Sequence, residues 1–195
     1  MPDPSKTNGP AAPKAEETSL VRWLVETALM VLLAFILAQG IKAFVAQPFI
    51  IPTGSMQPTI GLKNYVLAEK LTYRFSQSPA YKDIVVFDNP THDPNAAILI
   101  KRLVAVGGQT VDLKNGRVYI DGNELDEPYT NGKPTFPLNP SIQYPFKIPE
   151  DSYWMMGDNR TNSGDSREFG PVTRDAIIGH AVWTYWPVSK FGKLQ

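Results

Sequence analysis

Between Trp23 and Val45 the chain reads WLVETALMVLLAFILAQGIKAFV, and the 15 residues from Thr27 to Ile41 carry no charge. At about 1.5 Å per residue, a helix over this stretch reaches roughly 34 Å, enough to cross a hydrocarbon core of about 30 Å with Glu26 and Lys42 snorkelling outward at its ends. A buried core helix is the first alternative, but nothing else in the chain looks helical enough to pack around it. The apolar region of a cleaved signal peptide is the second, and the run starts late for that. Ile36 before Ala38, or Phe44 before Ala46, would also make a poor small-x-small cleavage site. The reading is therefore one retained membrane-spanning helix over 21–46. Lys6, Lys14 and Arg22 before the span face only Lys42 just after it, so charge alone biases its orientation weakly.

The segment before the span, 1–20, mixes charge and proline with little apolar bulk and is expected to be a disordered tail. After the span, 47–195 reads as one antiparallel β domain. Eighteen prolines argue against a helical bundle. Short runs of branched and aromatic residues at Tyr65–Leu67, Ile84–Phe87, Ile98–Val106, Thr110–Leu113, Val118–Ile120 and Ala181–Tyr185 are expected strands. Asn115-Gly116 and Asp121-Gly122 each supply the positive-φ pair of a two-residue hairpin, so TVDLKNGRVYIDGNEL should form a three-stranded meander. Segment 127–150 holds Pro128, Pro134, Pro137, Pro140, Pro145 and Pro149, cannot sustain a regular ladder, and is expected to be a surface excursion or small cap.

Composition removes several chemistries. Nineteen basic residues balance nineteen acidic ones, which argues against a nucleic-acid surface. No cysteine is present, so disulfides, thiolate metal sites and a Cys nucleophile are excluded. A Ser-His-Asp mechanism would have to use His92 or His180. No phosphate-binding glycine loop and no zinc-binding H-E-x-x-H occurs, and no cofactor or metal is expected.

Three stretches remain. In FIIPTGSMQPT, two prolines and a glycine fix a loop around Ser55, which is either a turn former or a nucleophile. In ILIKRLVAV, Lys101 and Arg102 point to opposite sheet faces among apolar neighbours. At least one should be desolvated, unless Lys101 simply guards an edge strand. In GDNRTNSGDSR, eleven residues are all small, polar or charged, which suggests a loop fixed by hydrogen bonds or else a solvated turn. Together the three suit a serine activated by a neutral lysine, because a lysine in a low-dielectric site loses its proton more readily.

IPTGSMQPT, ILIKRLVAV and GDNRTNSGDSREFGPV, in this order after an N-terminal span, resemble the bacterial type I signal peptidases, membrane-bound Ser-Lys proteases. The resemblance extends through DIVVF and the closing WTYWPVSKFG. It implies a mainly β fold of signal peptidase type, with Ser55 as nucleophile and Lys101 as general base. It implies an oxyanion hole made by the Ser55 N–H and the Thr53 hydroxyl, the latter where the family more often has Ser. It further implies Ser163 as the residue orienting the lysine, an Asp165–Arg167 ion pair, and Asp158 and Arg160 as supporting charges. The substrates implied are preproteins with small-x-small cleavage sites, met at the lipid bilayer. The N-terminus would be cytoplasmic and the catalytic domain on the outer face of the cell membrane. Lys82 stands where the family usually has Gly, and Gly107-Gly108-Gln109 where it usually has Pro-Gly-Asp, so local turn geometry is expected to differ there. Thr161 replaces a commoner acidic or amide residue without expected consequence.

Rival readings lack their own marks. Self-cleaving LexA-type repressors carry a DNA-binding helix-turn-helix in place of a span. Penicillin-binding enzymes need S-x-x-K, and the third residue after Ser55 is Pro58. A membrane-tethered scaffold leaves the three stretches unexplained. If burial lowers the Lys101 pKa, no carboxylate should touch its amine, and neither histidine should take part. Phe49, Ile50, Ile51, Trp183, Tyr185 and Trp186 are either core residues or a surface resting on lipid.

Overall fold

The computed structural model describes residues 20–76 and 78–194, so the expected tail lies outside the described residues save Leu20. The chain separates into two compact units, 1–39 and 40–195. In the first, helix α1 (Leu20–Phe44) begins, and none of its side chains is buried. Leu29, Leu33 and Leu37 on this helix are all exposed.

The second unit is built on two antiparallel sheets. Its strands are β1 (Ala46–Ile50), β2 (Tyr65–Glu69), β3 (Ile84–Asp88), β4 (Ile98–Val106), β5 (Thr110–Lys114), β6 (Arg117–Ile120), β7 (Asn123–Glu124), β8 (Phe146–Lys147), β9 (Ser152–Met156), β10 (Val172–Thr173), β11 (Ile177–Trp186) and β12 (Gly192–Lys193). The larger sheet runs β1-β2-β11-β3-β4-β9-β10, with β12 also on β11, and the smaller runs β7-β6-β5-β8. All six expected strands form. The meander forms too, with Asn115, Gly116, Asp121 and Gly122 all at positive φ. Pro48 is tolerated because β1 is an edge strand.

Both faces of β3 are covered, which is why IVVF is continuously apolar rather than alternating. Ile84 and Val86 join a cluster with Met56, Ile60 and Ile100, while Val85 and Phe87 join one with Leu103, Tyr153 and Met155. A third cluster surrounds the fully buried Trp154 and includes Val104, Val118 and Ile148. The proline-rich 127–150 segment does more than traverse the surface. Ile142, Tyr144 and Phe146 pack against that third cluster, Phe146 with its ring 5.1 Å from that of Trp154, and β8 adds a strand to the smaller sheet.

Two turns carry the departures from the family pattern, one at Lys82 and one at Gly107-Gly108-Gln109. Lys82 adopts φ 75°, the left-handed region in which a side chain is strained. Its N–H still donates to Leu103 O at 3.0 Å, so the turn into β3 keeps its shape at a local cost. At Gly107 a Cβ would meet Pro149 O at 2.8 Å, so the residue that replaces proline there is held by close backbone approach. Gln109 in turn ties the turn down, accepting from Val106 N at 3.0 Å and donating to Asp121 at 3.1 Å.

Candidate active site

The loop carrying Ser55 is anchored by apolar residues on both sides. Ile51, Met56 and Ile60 are buried in the first cluster, and Ile51 exchanges backbone hydrogen bonds with Asn64 and Lys63 at 2.9 and 2.8 Å. Gln57 N donates to Gly54 O at 3.1 Å, closing a turn that contains Ser55. Ser55 is 6% exposed, at the wall of a cleft of about 330 Å³ that Thr53, Asn89, Leu99, Lys101 and Ser163 also line.

Lys101 reaches the same cleft from the middle of β4. Strand alternation and the register Val85↔Lys101 and Phe87↔Leu99 put it on the face with Val85, Leu99 and Leu103, so its stem is packed among hydrocarbon. It is 3% exposed, and its Nζ lies 2.7 Å from Ser55 Oγ. Burial lowers its pKa from 10.5 to about 8, a shift that Asp165 opposes and Arg167 assists. Among the described residues no carboxylate lies within ion-pair distance of this amine, as the burial argument requires. Thr53 Oγ1 is 3.3 Å from Ser55 Oγ, and the Ser55 N–H has no acceptor among the described residues.

The polar 157–167 stretch is a fixed loop. Gly157 approaches Ser55 so closely that a Cβ there would meet Ser55 O at 2.5 Å and Ser163 Oγ at 2.2 Å, which only glycine permits. Asn159 then clamps the Ser55 loop twice, its N–H donating to Ser55 O at 3.0 Å and its side-chain amide to Gly54 O at 2.9 Å. Asp165 accepts from Gly157 N at 3.0 Å, holds Arg167 with a 2.8 Å bond on each of its two oxygens, and caps the short helix α2 (Ser166–Phe169).

Asp158 and Arg160 do not pair with each other. Asp158 accepts two 2.8 Å bonds from Arg102, whose guanidinium lies 4.1 Å from the Tyr129 ring centroid. Thr59 Oγ1 donates to Asp158 at 2.5 Å. Arg160 instead grips Glu127 and Thr135 of the proline-rich segment, bonding Thr135 at 2.7 Å. Thus Arg102 and Lys101 are both desolvated, on opposite faces of one strand, and only the lysine is without a carboxylate.

Ser163 is brought into the cleft, but its buried hydroxyl has no hydrogen-bond partner, so it does not contact Lys101 here. Neither histidine lines the cleft. His180 stacks on Tyr73 at 5.5 Å between Glu69 and Asp83, and His92 occupies a turn at φ 54°. Asn159, Glu127 and Thr59 escape a reading of sequence, since an amide or carboxylate in a loop looks the same whether it holds a nucleophile's backbone or faces water. Arg102 carried a partial signal, its place in an apolar strand.

Comparison with known proteins places these features in one setting. The profile of the family described as signal peptidase, peptidase S26, matches residues 24–186. A signal peptidase I of Leptolyngbya laminosa is 38% identical over 98% of this chain and 94% of its own length. A probable signal peptidase I-2 of Synechocystis is 39% identical over 88% of this chain and 77% of its own. A solved signal peptidase I of Enterococcus faecalis shares 28% identity, covering 53% of this chain and 97% of that one with a TM-score of 0.43.

Proposed function

The chain belongs to the peptidase S26 signal peptidase family, and on that premise we propose that it is a Ser-Lys endopeptidase that removes signal peptides from preproteins at a membrane surface. The observation that carries the reading is the Lys101 amine, buried, 2.7 Å from Ser55 Oγ and with its pKa lowered to about 8.

A neutral amine keeps a lone pair. As Ser55 Oγ attacks the scissile carbonyl, that lone pair takes the hydroxyl proton, and the negative charge moves onto the carbonyl oxygen. The Ser55 N–H and the Thr53 hydroxyl would receive that oxyanion, and Asn159 fixes the peptide unit from which the N–H projects. Lysine then returns the proton to the leaving amine. A water deprotonated by the same amine resolves the acyl-enzyme, and the proton passes back to Ser55. Ser163, with its unspent hydroxyl in the same cleft, would take a hydrogen bond from the lysine once Ser55 is acylated.

Helix α1 is read as a single membrane span with the N-terminus cytoplasmic and the catalytic unit on the outer face, where preproteins emerge. The catalytic unit would itself touch lipid. Trp183 and Trp186 are 40% and 53% exposed, Ile50 and Tyr185 are also uncovered, and bulges in β11 turn these rings outward where strict alternation would bury some of them. Ile51, by contrast, belongs to the core.

The test is incubation of the detergent-solubilised protein with a preprotein, the new N-terminus being read by mass spectrometry. Cleavage after a small-x-small site is expected. Ser55→Ala or Lys101→Ala should reduce it by several orders of magnitude with the fold retained. Unchanged cleavage in either folded variant would refute the assignment.

A further inference from the structure

Net neutrality conceals a local excess of charge. A cavity of about 670 Å³ opens where the segment after Ser55 meets the C-terminal strand, and among the described residues Lys133, Lys190 and Lys193 line it with no Asp or Glu side chain. Among the described residues none of these lysines forms an ion pair. Among the described residues, the one side-chain hydrogen bond they make runs from Lys133 to Asn159 Oδ1 at 2.6 Å. Gln57 and Thr59 supply further polar atoms to its lining.

The rim has the opposite character. Phe191, 63% exposed, lines the same cavity and packs its ring 5.4 Å from that of Trp183, and the uncovered Val188 and Trp186 continue this apolar surface. A cationic hollow beside exposed hydrocarbon and indole has the polarity of an amphiphile with an anionic head. Clustered lysines beside a bilayer attract anionic lipid, and aromatic rings favour the headgroup layer.

We propose that this cavity binds the phosphate-bearing headgroup of an anionic phospholipid, with Lys133, Lys190 and Lys193 as its cationic ligands. The proposal rests on the reading that the Trp183–Trp186 surface meets the bilayer. It adds to that reading a lipid site in direct contact with the catalytic loop. The cavity wall is the chain immediately after the nucleophile, and Lys133 holds the Asn159 side chain that clamps Gly54 O.

The full chain carrying Trp23→Phe is reconstituted in nanodiscs of phosphatidylcholine, with or without phosphatidylglycerol. Lysine acetylation rates are read by mass spectrometry, and tryptophan quenching by brominated lipid is measured in parallel. Phosphatidylglycerol should slow acetylation of Lys190 and Lys193 by about fivefold and leave the second-sheet Lys147 unchanged. Glycerol phosphate added to phosphatidylcholine discs should protect neither; equal protection would make this a site for a soluble anion and overturn the lipid assignment. In the variant Lys190→Gln/Lys193→Gln, the protection of Lys133 should disappear. If it persists, the signal is general shielding and the site is refuted. Quenching without headgroup-specific protection would retain the surface contact and remove the site, and absence of both would remove both. Preprotein cleavage in the same discs reports separately on Ser55 and Lys101.

Discussion

Replacing Lys101 by Met should make the protein inactive and more stable at neutral pH. The pKa of the buried amine falls from 10.5 to about 8. A depressed lysine pKa means that between these values the unfolded chain binds a proton that the folded chain does not, so stability rises with pH across that window. Below pH 8 the folded state carries the full penalty of a charge in an apolar site, on the order of 3 kcal/mol. Above about pH 10.5 the penalty is gone. Methionine fills similar volume without charge. Its substitution forfeits the hydrogen bond to Ser55, about 1 kcal/mol, which leaves a net gain of about 2 kcal/mol at pH 7, or roughly 5 °C in Tm for a domain of this size. Thermal unfolding of wild type and variant in the same detergent from pH 7 to 10.5 checks this. The gap should narrow as pH rises. In the wild type, cleavage rate should climb about tenfold per pH unit below 8 and level off above it, since the neutral fraction at pH 8 is about one half against about one in 300 for an unshifted lysine. A variant no more stable than wild type at pH 7, or a rate limb centred near pH 10, would refute the burial argument.

Asp158→Ala should destabilise by about 3 kcal/mol or more, because Arg102 stays buried with its charge less compensated, and denaturant midpoints will show it. Lys82→Gly should stabilise by about 1 kcal/mol through relief of the left-handed backbone, measurable as a Tm increase with unchanged kcat. The double variant His92→Gln/His180→Gln should cleave within about tenfold of wild type, and a collapse of activity in a folded protein would revive a histidine mechanism.

What could be read from the chain depended on how local the determinant was. The meander needed only two Asn-Gly or Asp-Gly pairs, and β4 only an apolar run with a lysine inside, so both were legible. β9 was not. Its SYWMM pattern has no alternation because both of its faces are covered, and beside a polar loop it reads as that loop's preface. The segment 127–150 was legible as irregular, yet its packing against Trp154 was not, because tertiary burial of Ile142 and Tyr144 leaves no period in the sequence. Ser55 and Lys101 lie 46 positions apart, so the residues alone could suggest a serine beside a desolvated lysine, and the resemblance assigned the two their roles.

The support around the pair follows from what a neutral lysine tolerates. A lone carboxylate near Lys101 would raise its pKa and a lone arginine would lower it further, so an isolated charge of either sign would displace it from the working range. Each buried carboxylate near the site is matched instead. Asp165 is closed by Arg167 and Asp158 by Arg102, in bidentate pairs with both partners almost fully buried. Asp165 and Arg167 consequently act on Lys101 with opposite signs, and desolvation is the largest influence on it. The loop thereby gains the rigidity of charge-assisted hydrogen bonds, while Arg167 offsets part of the upward pull that Asp165 and Asp158 exert on the Lys101 pKa. The arginines and aspartates around the cleft occur as matched pairs, Arg167 with Asp165 and Arg102 with Asp158, while Lys101 is set apart among Val85, Leu99 and Leu103.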